Sequence, residues 1–272
     1  MLCCGRTDVG RKRTVNQDSF MCDSFDNGMQ LAVVCDGMGG AAGGGVASSL
    51  ACSVFWESVS AFSQSFGLRE TLSYEDERSI KNALTEAMNL ANDAVFTRSG
   101  QEDNLRGMGT TLVATLAFCG VLFTINVGDS RMYLIRDGQS VQITRDHSYV
   151  QYLVDMGKIT QSEARKSVNR NIITRAVGTD STVEADLYVT RLTKTDNAGE
   201  NAEDPAVRDR VAVLLCTDGL TNFVTPEEIV KTLKDAGEID TSRSLGRVAE
   251  RLIEMANTAG GADNITAVLM TM

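Results

Sequence analysis

The sequence contains very few prolines and histidines and no long apolar run. Of its 272 residues, two are proline and one, His147, is histidine. A single histidine excludes a zinc or iron centre with several histidine ligands. The lack of proline argues against a proline-rich linker, and 43% hydrophobic content suits one large domain spanning 1–272. No apolar stretch approaches the roughly 20 residues needed to cross a bilayer, so we predict no membrane segment.

Positive charge is scarce as well. The formal net charge is −10, and the densest basic stretch is Arg11, Lys12 and Arg13. Three residues are too few for a phosphate-backbone groove, so we expect no nucleic-acid partner. An acidic protein favours cations, whereas a phosphate site in it would need local positive charge from a metal or an arginine.

The seven cysteines are odd in number, and no two have the C-x-x-C spacing of a metal or redox motif. Most lie in apolar segments such as Leu31–Cys35 and Val211–Cys216, which suits small buried side chains in a reducing compartment. The N-terminal residues lack the basic start and apolar run of a signal peptide. We therefore expect a cytoplasmic protein.

Apolar periodicity predicts strands in runs and long helices in pairs. Predicted strands are Phe20–Phe25, Gln30–Cys35, Thr111–Phe118, Val121–Val127, Met132–Arg136, Ser140–Thr144, Val183–Leu192, Val211–Cys216 and Ile265–Met270. Predicted helices are Ala41–Phe62, Glu75–Arg98, one that is capped by Thr225, and Ser244–Ala256. This order is typical of an α+β fold with two antiparallel sheets packed face to face and flanked by helix pairs, an αββα sandwich.

Four aspartates stand beside glycine at the ends of apolar strands: Asp36, Asp129, Asp218 and Asp263. The sheet would hold each backbone while leaving the carboxylate at the rim, and rigidly mounted oxygen ligands suit Mg²⁺ or Mn²⁺. The alternative is that they are turn residues, as we expect for Asp137, which precedes Gly138 in a predicted hairpin. Spacing alone does not show that the four converge.

Eight short motifs occur in order along nearly the whole chain. They are Thr7-Asp-Val-Gly-Arg-x-Arg13-x-x-Asn16-Gln17-Asp18, Asp36-Gly-Met-Gly-Gly40, Gly109-Thr-Thr111, Gly128-Asp-Ser-Arg131, Arg145-Asp-His-Ser148, Thr174-Arg-Ala-Val-Gly178, Cys216-Thr-Asp-Gly-Leu220 and Gly261-Ala-Asp-Asn-Ile-Thr266. Each motif is weak alone, but together they resemble the metal-dependent protein phosphatase family, the type 2C serine/threonine phosphatases, in its bacterial form.

The resemblance implies a centre with two Mn²⁺ or Mg²⁺ ions. Asp36 matches the carboxylate that bridges both ions, and Gly37 matches the residue whose carbonyl joins the second. Asp218 and Asp263 match the other ligands of the first ion. Asp18 matches an acidic residue that serves the second ion, often through water.

Four further residues receive roles from the same resemblance. Arg13 matches the arginine that grips the substrate phosphate, and Asp129 matches a ligand of a third, weaker ion shared with Asp218. Arg131 is expected to anchor the turn around Asp129 through a salt bridge, and Asn264 to orient a ligand. The family's proposed acidic histidine is replaced here by Met38, and we expect a structural role for His147.

The implied function is hydrolysis of phosphoserine and phosphothreonine in proteins by a metal-bridged water, in a monomer that opposes a bacterial serine/threonine kinase. The alternative is a non-catalytic regulatory or partner-binding protein of the same fold. Residues 148–171, which correspond to the family's flap, would be a mobile element that contacts the substrate protein. The polar segment 193–210 departs from the family and is either a docking or regulatory element or tolerated extra length.

Overall fold

The computed structural model describes residues 2–192 and 211–272, with the backbone alone at residues 41 and 42. The polar segment predicted at 193–210 lies outside the described residues. The strands are β1 Leu2–Asp8, β2 Asp18–Ser24, β3 Gln30–Met38, β4 Gly109–Thr110, β5 Leu112–Phe118, β6 Val121–Val127, β7 Arg131–Arg136, β8 Gln139–Gln142, β9 Asp186–Arg191, β10 Ala212–Cys216 and β11 Ile265–Thr271. The helices are α1 Gly40–Ser65, α2 Tyr74–Gln101, α3 Tyr149–Asp155, α4 Gln161–Lys166, α5 Asp218–Thr221, α6 Pro226–Asp235 and α7 Ser242–Ala259.

The strands form two antiparallel sheets. One has the order β1-β11-β10-β7-β8, and the other has the order β2-β3-β5-β6-β9 with β4 beside β3. Neighbouring strands such as β5 and β6 pair antiparallel from Leu112 opposite Val127 to Phe118 opposite Val121. The predicted α+β sandwich of two antiparallel sheets is confirmed.

Side chains of the central strands alternate between two apolar layers. On β3, Ala32 and Val34 face the inner layer, which they share with Val213 and Leu215 of the opposite sheet. Every second residue, such as Val33, packs instead against the outer helices. This alternation follows from the two-residue period of a strand, and it places one core between the sheets and one under each helix pair.

Each sheet is covered by one pair of helices. Helices α1 and α2 pack on the sheet that contains β3, while α6 and α7 pack on the sheet that contains β11. Capping boxes at Thr225 and Thr241 fix the starts of α6 and α7. Because the Thr241 box uses Ser244 as its third helical residue, α7 begins at Ser242, two residues before the predicted start. Among the described residues, no helix combines the length and apolarity required to cross a bilayer.

The flap, residues 148–171, contains α3 and α4, and backbone contacts join its two ends at its base. The Tyr149 amide donates to the Ile172 carbonyl at 2.8 Å, and Ser148 pairs with Ile173. The predicted capping box at Thr160 is present and starts α4. The flap is therefore a two-helix module beside the ends of the strands.

Candidate metal centre

The space between the two sheets opens at one end into a cavity of about 500 Å³. Both sheets and the flap contribute to its wall. The lining includes Arg13, Gln17, Asp36, Gly37, Met38, Thr111, Asp129, Asn171, Asp218, Asp263 and Asn264. The structure thus brings four of the sequence-predicted aspartates, Gly37 and Arg13 to one cavity.

Asp36 lies near the end of β3, directly opposite Asp18 of β2 in the antiparallel register. Side chains of opposed residues lie on the same face, here the inner one. The amide of Asp36 donates to Thr111 Oγ1 at 2.9 Å, and its carbonyl accepts from the Thr111 amide at 2.8 Å and Thr110 Oγ1 at 2.9 Å. These bonds fix the backbone that carries Asp36 and Gly37.

Asp18 is buried and is held by the opposite sheet. Its Oδ2 accepts hydrogen bonds from Thr217 Oγ1 at 3.0 Å and Thr266 Oγ1 at 2.6 Å. Its Oδ1 has no partner among the described residues. Both threonines stand in the sequence motifs, but their contacts with Asp18 form only when the two sheets pack. One Asp18 oxygen is therefore fixed by protein donors and the other remains available to an ion or its water.

Asp218, at the start of α5, and Asp263, in the loop before β11, lie on neighbouring segments in close contact. Asp218 is the first residue of α5, and Asn222 Nδ2 donates to its Oδ2 at 3.1 Å. A Cβ at Gly219 would lie 1.9 Å from the Asn264 carbonyl oxygen, so only glycine allows this approach of the two segments.

Asn264 ties the Asp263 loop to the segment between β1 and β2. Its Oδ1 accepts from the Gln17 amide at 2.8 Å, and its Nδ2 donates to the carbonyls of Val9 and Val15 at 3.0 Å. Asp263 Oδ1 in turn accepts from the Asn264 amide at 2.9 Å. Asn264 therefore positions the loop that carries Asp263 without itself being charged.

The turn between β6 and β7 carries Asp129, which is buried. Arg131 binds both carboxylate oxygens of Asp146, with Nε–Oδ1 at 2.9 Å and Nη2–Oδ2 at 2.6 Å. Ser130 Oγ lies 2.7 Å from Thr111 Oγ1, which links this turn to the base of Asp36. The turn is thus held from both sides.

His147 supports the same turn from outside the cavity. Its Nδ1 accepts from the Gly128 amide at 3.1 Å, so its proton resides on Nε2, which lies 3.2 Å from Asp186 Oδ2. Burial lowers the pKa of the His147 imidazole, which favours this neutral form. His147 is bonded to backbone and carboxylate partners and does not line the cavity, whereas Met38 does.

Arg13 lies at the rim and pairs with Asp263 through two contacts. Its Nε is 2.9 Å from Asp263 Oδ1, and its Nη2 donates to Oδ2 at 2.9 Å. This pairing raises the pKa of the Arg13 guanidinium through the Asp263 hydrogen bond and charge. The Arg13 guanidinium therefore stays positively charged, and its planar pair of N–H donors matches the spacing of two phosphate oxygens.

The carboxylates around the cavity destabilise one another as anions. Burial, followed by the charges of neighbouring aspartates, raises the pKa of Asp36 well above its usual value. Burial also raises the pKa of Asp18 to about 7 and that of Asp129 to about 8. Oxygen donors that repel one another until a cation arrives fit divalent Mg²⁺ or Mn²⁺.

The aspartates are arranged differently from the ligands of a closed site for a single metal ion. Within residues 2–192 and 211–272, no three His, Cys, Asp or Glu side chains are already gathered as a metal cluster. The aspartates instead line the wall of a cavity with room between them. This arrangement suits ions whose coordination is completed by a main-chain carbonyl and by water, as hard cations accept.

Metal removal is expected to destabilise the protein more at high pH. Between about pH 4, the pKa of an unfolded aspartate, and pH 7 to 8, folded Asp18 and Asp129 keep protons that the unfolded chain has released. The free energy of unfolding of the metal-free protein therefore falls as the pH rises through this range. Mn²⁺ should raise the melting temperature more at about pH 8 than at about pH 5.5. Equal shifts in EDTA-controlled melts would contradict a carboxylate centre.

Known proteins with similar sequences are protein phosphatases. The sequence pattern of the family described as Protein phosphatase 2C matches residues 7–255. Serine/threonine phosphatase stp of Listeria welshimeri is 34% identical over 265 residues, covering 97% of this chain and 93% of that protein. Serine/threonine protein phosphatase PstP of Mycobacterium tuberculosis is 36% identical over 264 residues, covering 97% of this chain and 43% of that protein.

Solved structures show the same similarity. Serine/threonine phosphatase Stp1 from Staphylococcus aureus superimposes with a TM-score of 0.79 at 32% identity, covering 100% of this chain and 95% of that one. The catalytic domain of PstP in complex with two manganese ions gives a TM-score of 0.74 at 32% identity, covering 99% and 97%. These matches confirm the resemblance found in the eight sequence motifs.

Proposed function

Because the chain belongs to the protein phosphatase 2C family, we propose that it hydrolyses phosphoserine and phosphothreonine in proteins with the help of divalent metal ions. The observation that carries this proposal is the convergence of Asp36, Asp129, Asp218, Asp263 and Arg13 on one cavity. Four carboxylates and one arginine combine cation binding with phosphate binding in the same space.

We assign different residues of the cavity to different metal ions. Asp36 would hold both ions of a two-metal centre, and the Gly37 carbonyl and Asp18 would serve the second ion, Asp18 through water. Asp218 and Asp263 would complete the first site. The available Oδ1 of Asp18 and the fixed backbone of Asp36 support these assignments. When bound, Mn²⁺ or Mg²⁺ lowers the pKa of water toward neutral pH and neutralises charge on the phosphoryl oxygens.

Arg13 binds the phosphate of the substrate. Its Nε and Nη2 now face Asp263, and the same two groups can donate to two phosphoryl oxygens once the Asp263 oxygens are engaged elsewhere. No cysteine or histidine is among the residues described as lining the cavity, so the leaving group takes its proton from water. The seven cysteines, all free, have no part in the reaction.

Three finer assignments belong to the same proposal. Asp129 and Asp218, which line the cavity together, would hold a third ion. We also propose a monomer as the working unit. Seven free cysteines suit a reducing compartment, and we propose that the protein acts in the cytoplasm against a serine/threonine kinase and its targets.

The test is phosphate release from a phosphothreonine peptide and from p-nitrophenyl phosphate. With Mn²⁺ the purified protein should hydrolyse both, lose at least about 99% of the rate in excess EDTA, and recover it when Mn²⁺ is restored in excess. Mn²⁺ binding in calorimetry without turnover of either compound would instead support a non-catalytic regulator of the same fold.

A further inference from the structure

We propose that a second cavity, between the flap and the start of α6, binds an acidic group of the substrate, with Arg165 as its main anchor. This inference rests on the proposed function and names the substrate class more closely. The acidic group is a carboxylate or a second phosphate within a few residues of the phosphorylated residue. The flap cavity, as we call it, has a volume of about 260 Å³.

The flap cavity adjoins the metal centre. Asp129 and Asp218 line both cavities, and the neighbours Arg170 and Asn171 line the flap cavity and the metal cavity respectively. A peptide whose phosphorylated residue reaches the metal centre would therefore carry nearby side chains past the flap cavity. Each extended residue adds about 3.3 Å, so the acidic group lies a small number of residues away.

Within the described part of the chain, two arginines of the flap cavity have no ion-pair partner. Its lining holds Asp129, Asp146 and Asp218 together with Arg131, Arg165 and Arg170. Asp146 is already paired with Arg131, and Asp129 and Asp218 are assigned to the metal ions. Among the described residues, neither Arg165 nor Arg170 has a carboxylate oxygen within the 4.0 Å of an ion pair. In a chain of net charge −10, two such arginines at one cavity favour an anionic ligand.

Arg165 lies on helix α4, which is held by a capping box at its start and by one buried side chain. The capping box of Thr160 and Glu163 starts α4, and Ala164 is buried beneath it. Gln161 lies one turn before Arg165, and both line the flap cavity, as residues four apart on a helix share a face.

The opposite wall is polar and comes from the α5–α6 region. Asn222 and Thr225 line it, with Asn222 held by its bond to Asp218 Oδ2 at 3.1 Å. Glu227, in the first turn of α6, is a competing charge: its pKa is lowered first by a backbone amide, then by Thr225 and by the charge of Arg165. Glu227 is exposed and lies beyond ion-pair distance of Arg165, so the Arg165 guanidinium remains available. A substrate anion can therefore bind between α4 and α6.

The experiment compares phosphothreonine peptides that differ at one flanking position. Glutamate, glutamine or a second phosphothreonine is placed in turn at each of the three positions on either side, and kcat/KM is measured with Mn²⁺. At one position the acidic peptide should be preferred over the glutamine peptide by about five- to tenfold, and the preference should fall in high salt. A larger gain for phosphate than for glutamate would identify a second phosphorylated residue as the occupant, and equal gains would show that a carboxylate is sufficient.

Arg165→Gln should reduce this preference to less than about twofold, while Arg165→Lys should keep part of it because the charge remains. Lys166→Gln is the matched control: it removes the same charge from the next residue of α4, which does not line the flap cavity, and it should leave the preference intact. Turnover of p-nitrophenyl phosphate, which has no flanking residue, reports whether each variant keeps an intact metal centre.

Two negative results separate the subsite from the activity. If the wild-type protein hydrolyses all peptides at similar rates, or if Lys166→Gln lowers the preference as much as Arg165→Gln, the subsite is overturned and the phosphatase activity stands. If no phosphopeptide is hydrolysed at all, the proposed function itself fails.

Discussion

Replacing Asp218 by asparagine is expected to lower kcat/KM for a phosphothreonine peptide by about 1000-fold or more. Asp218 lines both the metal cavity and the flap cavity, and it is assigned to the first ion and to the third. Asparagine keeps the shape and can still accept the bond from Asn222, so the change removes mainly the negative charge. Losing a carboxylate ligand costs several kcal/mol of transition-state stabilisation, and about 4 kcal/mol corresponds to this factor.

The same substitution should leave the metal-free protein at least as stable as the wild type. Burial and the charge of Asp263 raise the pKa of Asp218, so its carboxylate opposes folding when no cation is present. The melting temperature in EDTA at about pH 8 should therefore rise or stay the same, while the stabilisation by Mn²⁺ shrinks. Loss of activity together with unchanged folding would identify a functional and not a structural role.

Asp137→Asn is the matched control for Asp218→Asn. Asp137 also precedes a glycine after an apolar strand, but it lies in the hairpin turn between β7 and β8 with φ +52°. Asparagine adopts this left-handed conformation readily, and we expect activity within about twofold of the wild type. If Asp218→Asn retained more than about a tenth of the activity, the assigned metal site would be wrong.

Arg13→Ala is expected to lower kcat/KM by about 100-fold, the second largest effect. The guanidinium can give two parallel hydrogen bonds to phosphate, and charged hydrogen bonds are worth about 1.5–3 kcal/mol each. Arg13→Lys should recover only part of the loss, because an ammonium is a point charge without the planar fork. Lys12→Ala removes a neighbouring exposed charge and should change kcat/KM by less than about threefold.

Mn²⁺ binding distinguishes this role of Arg13 from a purely structural one. In the described structure, Arg13 occupies both oxygens of Asp263. Removing the guanidinium frees those oxygens, so Arg13→Ala should bind Mn²⁺ at least as tightly as the wild type in calorimetry. Weaker Mn²⁺ binding combined with an unchanged KM would mean that Arg13 supports the metal site and does not bind phosphate.

Local patterns were sufficient for most secondary structure because they depend on short-range periodicity. The predicted strand Val121–Val127 agrees with β6 at both ends, and the caps at Thr160 and Thr225 start α4 and α6 as predicted. Predicted ends differ where side chains bond locally. Helix α1 runs to Ser65, three residues beyond the predicted Phe62, with the Ser65 hydroxyl bonded to the Phe62 carbonyl at 2.7 Å. The four-residue helix α5 is absent from the predictions because it is too short to show a period.

By itself, the sequence determined the types of element, the fold class and the chemical nature of the donors, since alternation, capping and residue type are local properties. It also placed aspartates at strand ends without showing that they meet. Only the packing of two sheets decided that Asp18 is held by threonines of the opposite sheet, that Arg13 faces Asp263, and that Arg165 lines a cavity beside the metal centre. These contacts join residues far apart in the chain, and they form because apolar layers on both sides of each sheet fix the strand ends relative to one another.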